Sequence, residues 1–537
     1  MSKELLTIRE VLSNAAIKWP DKTGLIFDVT GDSFTFTEVK EHAEQYANAF
    51  KQLGIQSGDK VALMLPNDQH FPLSWLALGL IGAVTVPMNT RYQEVDAAYI
   101  IENSESRLVV TTSAYVSMLS NVKKAHQLPI QIVTVDEPTD DADHFLADLL
   151  KTVSGEFTAE SKTYPDTLMN IQYTSGTTGK PKGCMLTQKY WINIGEKIAN
   201  PELIGMTEND RLLTSQPFYY MDPQWNTMAA LVNGASLVVL EKFSPSKFWK
   251  KVSDYGVTFF YVLGNMPVLL LKMPESEYEK NHSVRLVGCS AIPPGLHKQI
   301  EERWNVKWLE VFGMTETGYD ISMRVEDHDD YVGSGALGKP ATDREVRIIG
   351  PDGEFLERGQ TGEMVFRGKW LMDGYYKNKE ATEEVFRNGW FHTGDLAYMD
   401  EAGMLYYAGR LKDMIRRSGE NIAAAEVEEV IMQHESVKLA ACIPVDDEIR
   451  GEEVKAYLVL KDNAVDQKQI VQSIVDHCEK RLASFKVPRY WAFKDDLPLT
   501  PSERIAKHVL KEETKKDNLF FYDTKSENYQ PSGSVLK

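Results

Sequence analysis

Cysteine is scarce in this sequence, and the few cysteines stand far apart. There are four of them, Cys184, Cys289, Cys442 and Cys478, and no two form a Cys-x-x-Cys pair. Structural zinc sites and disulfide frameworks both need closely patterned cysteines, so the sequence argues against either one. The N-terminal segment also lacks the apolar region of a signal peptide, and we therefore expect a cytoplasmic location.

Positive charge is in deficit, and long apolar runs are nearly missing. With 59 Lys+Arg against 78 Asp+Glu the net charge is −19, which disfavours binding to nucleic acid or an anionic membrane through the overall field. The longest apolar stretch, Phe71–Met88, is interrupted by Pro72, Gly79, Gly82 and Pro87. A helix, a glycine turn and a buried strand fit it better than a membrane span. We expect no nucleic-acid partner and no integral membrane segment.

The length and patterning of the chain predict a multidomain α/β protein. At 537 residues it is too long for one core. Apolar runs typical of buried strands alternate with helical periodicity, as in a parallel α/β fold, and a β-rich region with turn signals follows. A composition shift near Gly409–Lys412 precedes an α+β pattern. We predict an N-terminal domain of parallel α/β layers with a β-rich subdomain (1–411), a small α+β C-terminal domain (412–511) and a polar, partly disordered tail (512–537).

One run, Tyr173–Gly183, concentrates the residue types that bind phosphate. It reads YTSGTTGKPKG and holds hydroxyls, glycines and lysines at Thr174, Ser175, Gly176, Thr177, Thr178, Gly179, Lys180, Lys182 and Gly183. Hydroxyls donate to phosphate oxygens, glycines let backbone N–H groups approach them, and lysines supply charge. The spacing excludes a P-loop, because only two residues separate Gly176 from Gly179 and Pro181 follows Lys180. A flexible polar spacer has no need of two lysines around a proline.

This run resembles the phosphate-binding signature of the adenylate-forming enzymes, which include acyl-CoA synthetases, amino-acid adenylation domains and luciferases. The resemblance extends from about Asp21 to Lys511. Through Gln216–Trp225 and Gly313–Thr317 the chain looks most similar to crotonobetaine/carnitine-CoA ligases and their medium-chain relatives. The resemblance implies an acid–CoA ligase that uses ATP, Mg²⁺ and coenzyme A and forms an acyl-AMP intermediate. Its substrate would be a small or medium-chain carboxylic acid. Dimers are frequent in this family, which leaves a homodimer as an option.

A second motif, Glu310–Gly318, places a hydroxyl beside a carboxylate. It reads EVFGMTETG, with Thr315 next to Glu316. A carboxylate can hold Mg²⁺ while a hydroxyl meets phosphate, but Thr and Glu also suit the first turn of a helix, and the residues alone do not decide between these interpretations. The segment resembles the family's Gly-Met-Thr-Glu element. By that resemblance Gly313 lies in the nucleotide site, Thr315 contacts phosphate and Glu316 binds the metal, while Lys182 holds the leaving phosphates.

Three further segments resemble family elements. In WFHTGDL and the following MLYYAGRLKD, Asp395 is implied to bind the ribose hydroxyls, Arg410 to complete the grip on the nucleotide, and Lys412 to be the hinge of a mobile C-terminal domain. In GCSAIP, Ser290 and Ala291 match the loop that stacks on adenine. In RRSGENI, the loop near the thiol channel, the basic pair is implied to meet CoA phosphates. That last loop contains Arg416, Ser418 and Gly419, and a solvated basic turn explains it equally well.

The near-C-terminal segment PLTPSERIAK departs from the family. A lysine that bridges carboxylate and phosphate is expected there after a glycine, and alignment puts Glu503 at the glycine and Arg504 at the lysine. Arginine carries the charge but is larger and planar. Three explanations stay open: Arg504 does the work, Lys507 reaches in, or adenylation is slow. We favour Arg504 as the catalytic residue.

An aromatic and acidic cluster occupies the segment that borders the acyl pocket in the family. Tyr219, Tyr220, Asp222 and Trp225 are candidates for a cage around a quaternary ammonium group. Plain core packing of aromatics is the commoner arrangement.

Two other functions stay open for the chain. One is a stand-alone adenylation enzyme that loads a carrier protein, and the other is a nucleotide-binding protein with impaired adenylation.

Overall fold

The structure is a computed structural model of the chain. It describes residues 6–158, 162–174, 181–417, 420–447, 450–461, 467–500, 505–517, 522–525 and 528–529. The chain forms two compact units. Unit 1 comprises Met1–Thr174, Lys182–Arg344 and Gly368–Glu384, and unit 2 comprises Ser175–Pro181, Glu345–Arg367 and Val385–Lys537.

Unit 1 contains two layered sheets of mostly parallel strands. Its strands are β1 (Thr23–Phe27), β2 (Ser33–Thr35), β3 (Lys60–Met64), β4 (Val84–Pro87), β5 (Ser106–Thr111), β6 (Gln131–Thr134), β7 (His144–Phe145), β8 (Leu168–Thr174), β9 (Lys182–Thr187), β10 (Arg211–Thr214), β11 (Ser236–Val239), β12 (Phe259–Leu263), β13 (Leu286–Ser290), β14 (Trp308–Met314), β15 (Gly318–Ser322) and β16 (Ala336–Pro340).

The order of these strands places a hairpin at the point where each set of parallel strands ends. One sheet runs β7-β6-β5-β3-β4-β8-β9, in which only the β8–β9 pair is antiparallel. In the other, strands β1, β11, β10, β12, β13 and β14 are parallel neighbours, and β15 turns back beside β14. The two motifs singled out in the sequence lie at these hairpins, one at the β8–β9 connection and one at the β14–β15 connection.

Helices cover these sheets. They are α1 (Ile8–Lys18), α2 (Phe36–Gln52), α3 (His70–Ile81), α4 (Glu94–Ser104), α5 (Ser113–Ala125), α6 (Leu146–Thr152), α7 (Gln188–Ile198), α8 (Met221–Asn233), α9 (Pro245–Asp254), α10 (Met266–Leu271), α11 (Pro294–Trp304), α12 (His328–Tyr331) and α13 (Lys379–Val385).

The apolar stretch Phe71–Met88 forms the elements that its glycines predict. Helix α3 has nearly every side chain buried, Gly82 ends it at φ 81°, and β4 follows in the centre of the sheet. No helix in the described parts of the chain is long and apolar enough to cross a membrane.

Unit 2 holds antiparallel strands and a small α+β sheet. Its elements are β17 (Arg344–Ile349), β18 (Gly362–Gly368), β19 (Phe386–Arg387), β20 (Trp390–Met399), β21 (Leu405–Arg410), β22 (Met414–Arg417), β23 (Glu420–Ala423), α14 (Ala424–Met432), β24 (Val437–Asp447), β25 (Gly451–Leu460), α15 (Gln467–Glu479), β26 (Tyr490–Phe493), α16 (Lys507–Asp517), β27 (Tyr522–Asp523) and β28 (Asn528–Tyr529). The small α+β sheet has the strand order β23-β22-β25-β26-β27-β28, with β24 beside β25. Helices α14 and α15 pack against it and form an apolar core.

One local prediction needs correction. The chain beyond Lys511 is less irregular than its polar composition suggests. Helix α16 continues to Asp517, and Tyr522 is buried where β27 pairs with β26. The predicted fold class, parallel α/β layers with a β-rich region and a smaller α+β C-terminal part, is confirmed.

All four cysteines are buried as free thiols. Burial raises the pKa of the Cys478 thiol to about 12 and raises the pKa values of Cys184, Cys289 and Cys442 well above their ordinary range. A thiol held in this way is inert, because the thiolate is the reactive form.

Candidate active site

The run Tyr173–Gly183, which the sequence predicts to bind phosphate, joins the two strands of the β8–β9 hairpin. Thr174 and Lys182 are cross-strand partners at its base, and the Thr174 hydroxyl donates to the Lys182 carbonyl at 3.4 Å. The rest of the predicted set, Ser175, Gly176, Thr177, Thr178, Gly179 and Lys180, lies outside the described residues. The hairpin therefore fixes both ends of the run at the edge of the sheet.

The carboxylate of Glu316 is held beside Lys182 through a tyrosine. The Tyr375 hydroxyl donates to Glu316 Oε1 at 2.8 Å, and Lys182 Nζ lies 4.5 Å from the centroid of the same tyrosine ring. Both Tyr375 and Glu316 are buried. A cation, an aromatic ring and a carboxylate thus come from three separate segments of unit 1, and they form one cluster.

Local pairing explains why Tyr375 reaches this position. The segment 373–376 lies along β9, with Met185 N–H donating to the Gly374 carbonyl at 2.9 Å and Tyr376 N–H donating to the Gly183 carbonyl at 2.8 Å. Gly374 has φ 127° and lies against Thr382, so that a Cβ there would meet the Thr382 side chain at 2.7 Å. The Thr382 hydroxyl in turn accepts the Tyr375 N–H at 2.9 Å. The sequence analysis assigned Tyr375 no role.

A buried ion pair braces the turn that carries Thr315 and Glu316. Arg344 Nε contacts Asp320 Oδ1 at 2.7 Å, and Arg344 also donates to the Thr317 carbonyl at 2.6 Å. The Thr315 carbonyl accepts the Tyr190 hydroxyl at 2.9 Å. The turn is a β-hairpin rather than the first turn of a helix, which removes the capping interpretation of this motif.

Gly313 is required by the same hairpin. It pairs with Tyr319 across the strands, and a Cβ at this position would lie 2.0 Å from the Gly318 carbonyl oxygen. No side chain fits that space, so only glycine allows β14 and β15 to approach this closely at the turn.

The residues at this turn fit a magnesium ion. Mg²⁺ takes oxygen ligands, typically one or two carboxylates together with phosphate oxygens. Glu316 supplies a carboxylate whose Oε1 is oriented by Tyr375, and the Thr315 hydroxyl adjoins it in sequence. The donors are all oxygen atoms, which suits Mg²⁺ better than a softer metal.

The loop at Ser290–Ala291 is fixed by a glutamate that the sequence did not reveal. Glu310 accepts the N–H groups of Ala291 and Ile292 at 2.7 and 2.8 Å, and Ala291 has φ 70°. The Ser290 hydroxyl lies 2.6 Å from that of Tyr261. Burial raises the pKa of Glu310 to about 8, although these two backbone donors oppose the shift. The signal in the sequence that could have revealed this role was a glutamate inside an apolar strand.

Unit 2 brings Asp395 and Arg410 together. They are cross-strand partners on β20 and β21, and Arg410 Nε contacts Asp395 Oδ1 at 2.8 Å. Asp395 is almost fully buried, and its N–H donates to the Thr393 hydroxyl at 3.0 Å. Lys412 follows in a single 3₁₀ turn, Leu411–Asp413, where its carbonyl accepts Lys511 Nζ at 3.1 Å.

Comparison with known proteins decides the family. The AMP-binding enzyme family matches residues 12–376, and the AMP-binding enzyme C-terminal domain matches residues 426–504. The chain belongs to the AMP-binding enzyme family. This confirms the predicted family and reaction class, an AMP-forming acid–CoA ligase that uses ATP, Mg²⁺ and coenzyme A.

Relatives of known activity match along nearly their whole length. A sulfoacetate–CoA ligase from Cupriavidus necator is 31% identical over 93% of this chain and 96% of its own. A crotonobetaine/carnitine–CoA ligase from Salmonella arizonae is 31% identical over 94% of this chain and 98% of its own. The o-succinylbenzoate CoA synthetase of Bacillus subtilis, solved with its acyl-adenylate intermediate, superposes with a TM-score of 0.81 at 28% identity, covering 94% of this chain and 98% of its own.

In this AMP-binding enzyme Lys507 is engaged inside unit 2. Its Nζ contacts Glu428 Oε1 at 2.7 Å and Asp413 Oδ2 at 3.9 Å. Burial lowers the pKa of Lys507, but the two carboxylates outweigh burial and raise it above its ordinary value. Lys507 is therefore committed to an ion pair, which disfavours it as a substitute for the family lysine. Arg504 and Glu503 lie outside the described residues.

The two adjacent arginines, Arg416 and Arg417, have different surroundings. Arg417 is buried, with Nε 2.7 Å from Glu453 Oε2 and a donated hydrogen bond to the Phe485 carbonyl at 2.7 Å. Its side chain is not available to CoA phosphates, and the expectation that both arginines meet them is wrong for Arg417. Arg416 is exposed on β22, while Ser418 and Gly419 lie outside the described residues.

The three aromatic residues of the predicted cage belong to two separate ring pairs, and Tyr261 completes the second pair. Tyr219 and Tyr220 lie 4.7 Å apart between centroids, and Trp225 packs edge-on against Tyr261 at 5.6 Å. Asp222, in the first turn of α8, accepts the Trp225 indole N–H at 3.2 Å. Burial raises the pKa of Asp222 to about 6.

A buried glutamine holds the turn before α8 in place. Gln224 donates to the carbonyls of Phe218 and Tyr220 at 2.9 and 3.0 Å. The turn that presents the tyrosine pair is thus anchored from beneath, so the aromatic and acidic side chains keep a fixed relation to the start of α8.

Proposed function

We propose that Glu316 and Lys182, held together by Tyr375, form the metal and phosphate side of the adenylation site in this ligase. The single observation that carries the assignment is the 2.8 Å hydrogen bond from Tyr375 to Glu316 with Lys182 over the same ring. Bound Mg²⁺ would be held by Glu316 and would neutralise phosphate charge. Thr174, Thr315 and the hairpin loop between Thr174 and Lys182 would orient the phosphates.

In the first half-reaction a carboxylate oxygen of the acid attacks the α-phosphorus of ATP, and the bond to pyrophosphate breaks. The chain's contribution is positioning and fixed charge, which is the main source of catalysis in phosphoryl chemistry. Asp395 would accept hydrogen bonds from the ribose hydroxyls, with Arg410 neutralising its charge. Ser290 and Ala291 would border the adenine, and Arg504 would bridge the carboxylate and phosphate.

In the second half-reaction the CoA thiol attacks the acyl-AMP carbonyl, the new C–S bond forms and AMP leaves. We propose that Lys412 is the hinge between these steps and that Arg416, exposed on β22, meets CoA phosphates. In this proposal the C-terminal domain, which begins at residue 412, rotates about this hinge. Two reactions that share one site need such a change, and it can limit turnover.

For the acid, we propose a small or medium-chain carboxylate, with a betaine-like acid as the first candidate. Asp222 beside Trp225 and the neighbouring tyrosine pair supply a carboxylate and aromatic faces, which are the groups that recognise a quaternary ammonium. The 31% identity to a crotonobetaine/carnitine–CoA ligase supports the same choice. The alternative is that Asp222 only stabilises the N-terminus of α8, as acidic residues in a first turn do.

The test is pyrophosphate release with ATP and Mg²⁺, with and without CoA. The acids would be carnitine, crotonobetaine, γ-butyrobetaine, fatty acids of increasing length, benzoate and sulfoacetate. CoA-dependent release with a thioester product for one class names the substrate. If Trp225→Ala lowers kcat/KM for betaines alone, the cage is supported; an equal loss for every accepted acid contradicts it.

The same assay separates the other functions. Acylation of a carrier protein without a free CoA thioester would favour a stand-alone adenylation enzyme. ATP binding without pyrophosphate release for any acid would favour a nucleotide-binding protein.

A cytoplasmic location and a homodimer remain predictions, and sedimentation of the purified chain tests the dimer.

A further inference from the structure

Two histidines and a glutamate meet in unit 1, outside the nucleotide site. His297 and Glu301 are four residues apart on α11 and therefore share one face of the helix, and His328 is the first residue of α12. His328 Nε2 lies 2.7 Å from Glu301 Oε1, and His297 Nε2 lies 3.4 Å from the same oxygen. One ligand atom from each residue lies within 4.8 Å of the other two.

These distances suit a common metal ion. Zinc binds imidazole nitrogen and carboxylate oxygen at about 2.0–2.2 Å, so ligand atoms around one ion stand roughly 3–4 Å apart. Two of the three separations here are 2.7 and 3.4 Å, and all three lie within 4.8 Å, so shifts of the side chains alone would bring the atoms to that spacing. Two histidines with one glutamate are also a ligand set that zinc takes where it has three protein ligands and one open position.

The surroundings of the cluster resemble the outer shell of a metal site. Asp329 Oδ1 lies 2.8 Å from His328 Nδ1, and Lys307 Nζ contacts that same carboxylate oxygen at 2.6 Å. A carboxylate on the far nitrogen of a histidine fixes the ring and turns the other nitrogen toward the ion. Here the nitrogen so turned is Nε2, the one that faces Glu301.

The two histidines of the cluster open onto a small cavity. His328 is 1% exposed, while His297 and Glu301 keep 10% and 17% of their side-chain surface accessible. Besides the two histidines, the cavity is lined by Glu310, Met323 and Tyr331. An ion on the two buried imidazoles would thus have space for a water molecule on the cavity side.

We propose that His297, Glu301 and His328 bind a divalent transition metal of the zinc class. The competing arrangement is a hydrogen-bonded network that needs no ion. In that network His297 Nε2 contacts the Trp308 carbonyl at 3.0 Å, its Nδ1 accepts the Gly333 N–H at 3.2 Å, and Glu301 Oε1 accepts the Trp308 N–H at 2.6 Å. Metal binding would displace the contacts at both Nε2 atoms, and it would also displace the Gly333 contact, because an imidazole bound through Nε2 carries its proton on Nδ1.

The experiment is a zinc titration of the full chain after treatment with EDTA, in competition with a chromophoric chelator. We expect one tight equivalent in the wild type. His328→Gln and Glu301→Gln should each lower the affinity by at least about 100-fold, and Asp329→Asn by about 10–100-fold as an outer-shell change. The matched control is His126→Gln, since His126 pairs with Glu102 at 2.7 Å on the exposed surface. It should bind zinc like the wild type.

A second measurement keeps the test independent of variant folding. Co²⁺ added to the wild type should give the visible absorption of a four-coordinate site with nitrogen and oxygen ligands, and Zn²⁺ should abolish it. Circular dichroism of each metal-free variant checks its fold. The proposal is overturned if the wild type binds no tight equivalent, or if folded His328→Gln and Glu301→Gln bind zinc as the wild type does.

Discussion

Replacing Tyr375 by phenylalanine isolates one hydroxyl in the proposed adenylation site. The ring stays, so its contact with Lys182 at 4.5 Å and its place beside β9 are kept. What is lost is the 2.8 Å hydrogen bond to Glu316 Oε1, in a buried setting. A hydrogen bond to a charged group contributes about 1.5–3 kcal/mol.

That range sets the expected effect on catalysis. If the bond serves to position the Glu316 carboxylate, kcat/KM for adenylation should fall by about 10- to 150-fold, since about 1.4 kcal/mol corresponds to tenfold. The Mg²⁺ concentration that gives half-maximal activity should rise, because a less fixed carboxylate binds the ion less well. The KM for the acid should change little, as the tyrosine lies on the phosphate side of the proposed site.

The assay is pyrophosphate release as a function of Mg²⁺ at saturating ATP, with the melting temperature as a check of folding. The neighbouring residue supplies the control. The Tyr376 hydroxyl donates to Glu105 at 2.9 Å on the exposed surface, and Tyr376→Phe should alter activity by less than about twofold. Equal activities of the two variants, or tighter Mg²⁺ activation in Tyr375→Phe, would refute the positioning role.

Three further predictions concern charge. Arg504→Ala should lower adenylation by about 100- to 1000-fold, as loss of a transition-state donor does, while Lys507→Gln should mainly lower the melting temperature; the reverse pattern would assign the role to Lys507. Because burial raises the pKa of Asp222 to about 6, kcat/KM for a betaine should rise about tenfold from pH 5 to 7, and Asp222→Asn or a fatty acid should show no such rise. Burial lowers the pKa of Lys455 to about 8 from 10.5, so the native state loses its proton first and the unfolded state binds more protons between these values. The free energy of unfolding of the wild type, taken relative to that of Lys455→Met at each pH, should therefore increase by up to about 3 kcal/mol over that interval in urea titrations. The buried thiols titrate alike in both proteins, so their effect cancels in this difference.

The sequence was informative where function depends on contiguous residues. The run Tyr173–Gly183 could be singled out because several chemically matched groups stand side by side. The pair Thr315-Glu316 was ambiguous by itself and was assigned through the family resemblance. The family pattern pointed to Asp395 and Arg410 individually, and the structure shows in addition that they are cross-strand partners 2.8 Å apart. The alternation of apolar runs with helical periodicity was likewise enough to predict parallel α/β layers.

Partnerships between distant segments were not accessible in the same way. Tyr375 joins Glu316 only because residues 373–376 pair with β9, and no local pattern signals that pairing. Arg416 and Arg417 are chemically alike in sequence, yet the alternation of a strand buries Arg417 against Glu453 and exposes its neighbour. The role of Glu310 depends on where the loop after β13 lies, which only the folded sheet defines.

The buried cysteines have a consequence for an enzyme whose second substrate is itself a thiol. An accessible thiolate near an acyl-AMP would compete with CoA for the acyl group, and in oxidising conditions it would form a mixed disulfide with CoA. Cys184, Cys289, Cys442 and Cys478 are all enclosed, and their raised pKa values keep them protonated. The protein thus offers no competing nucleophile of the same kind from its own cysteines, so self-acylation and disulfide capture of CoA are both avoided.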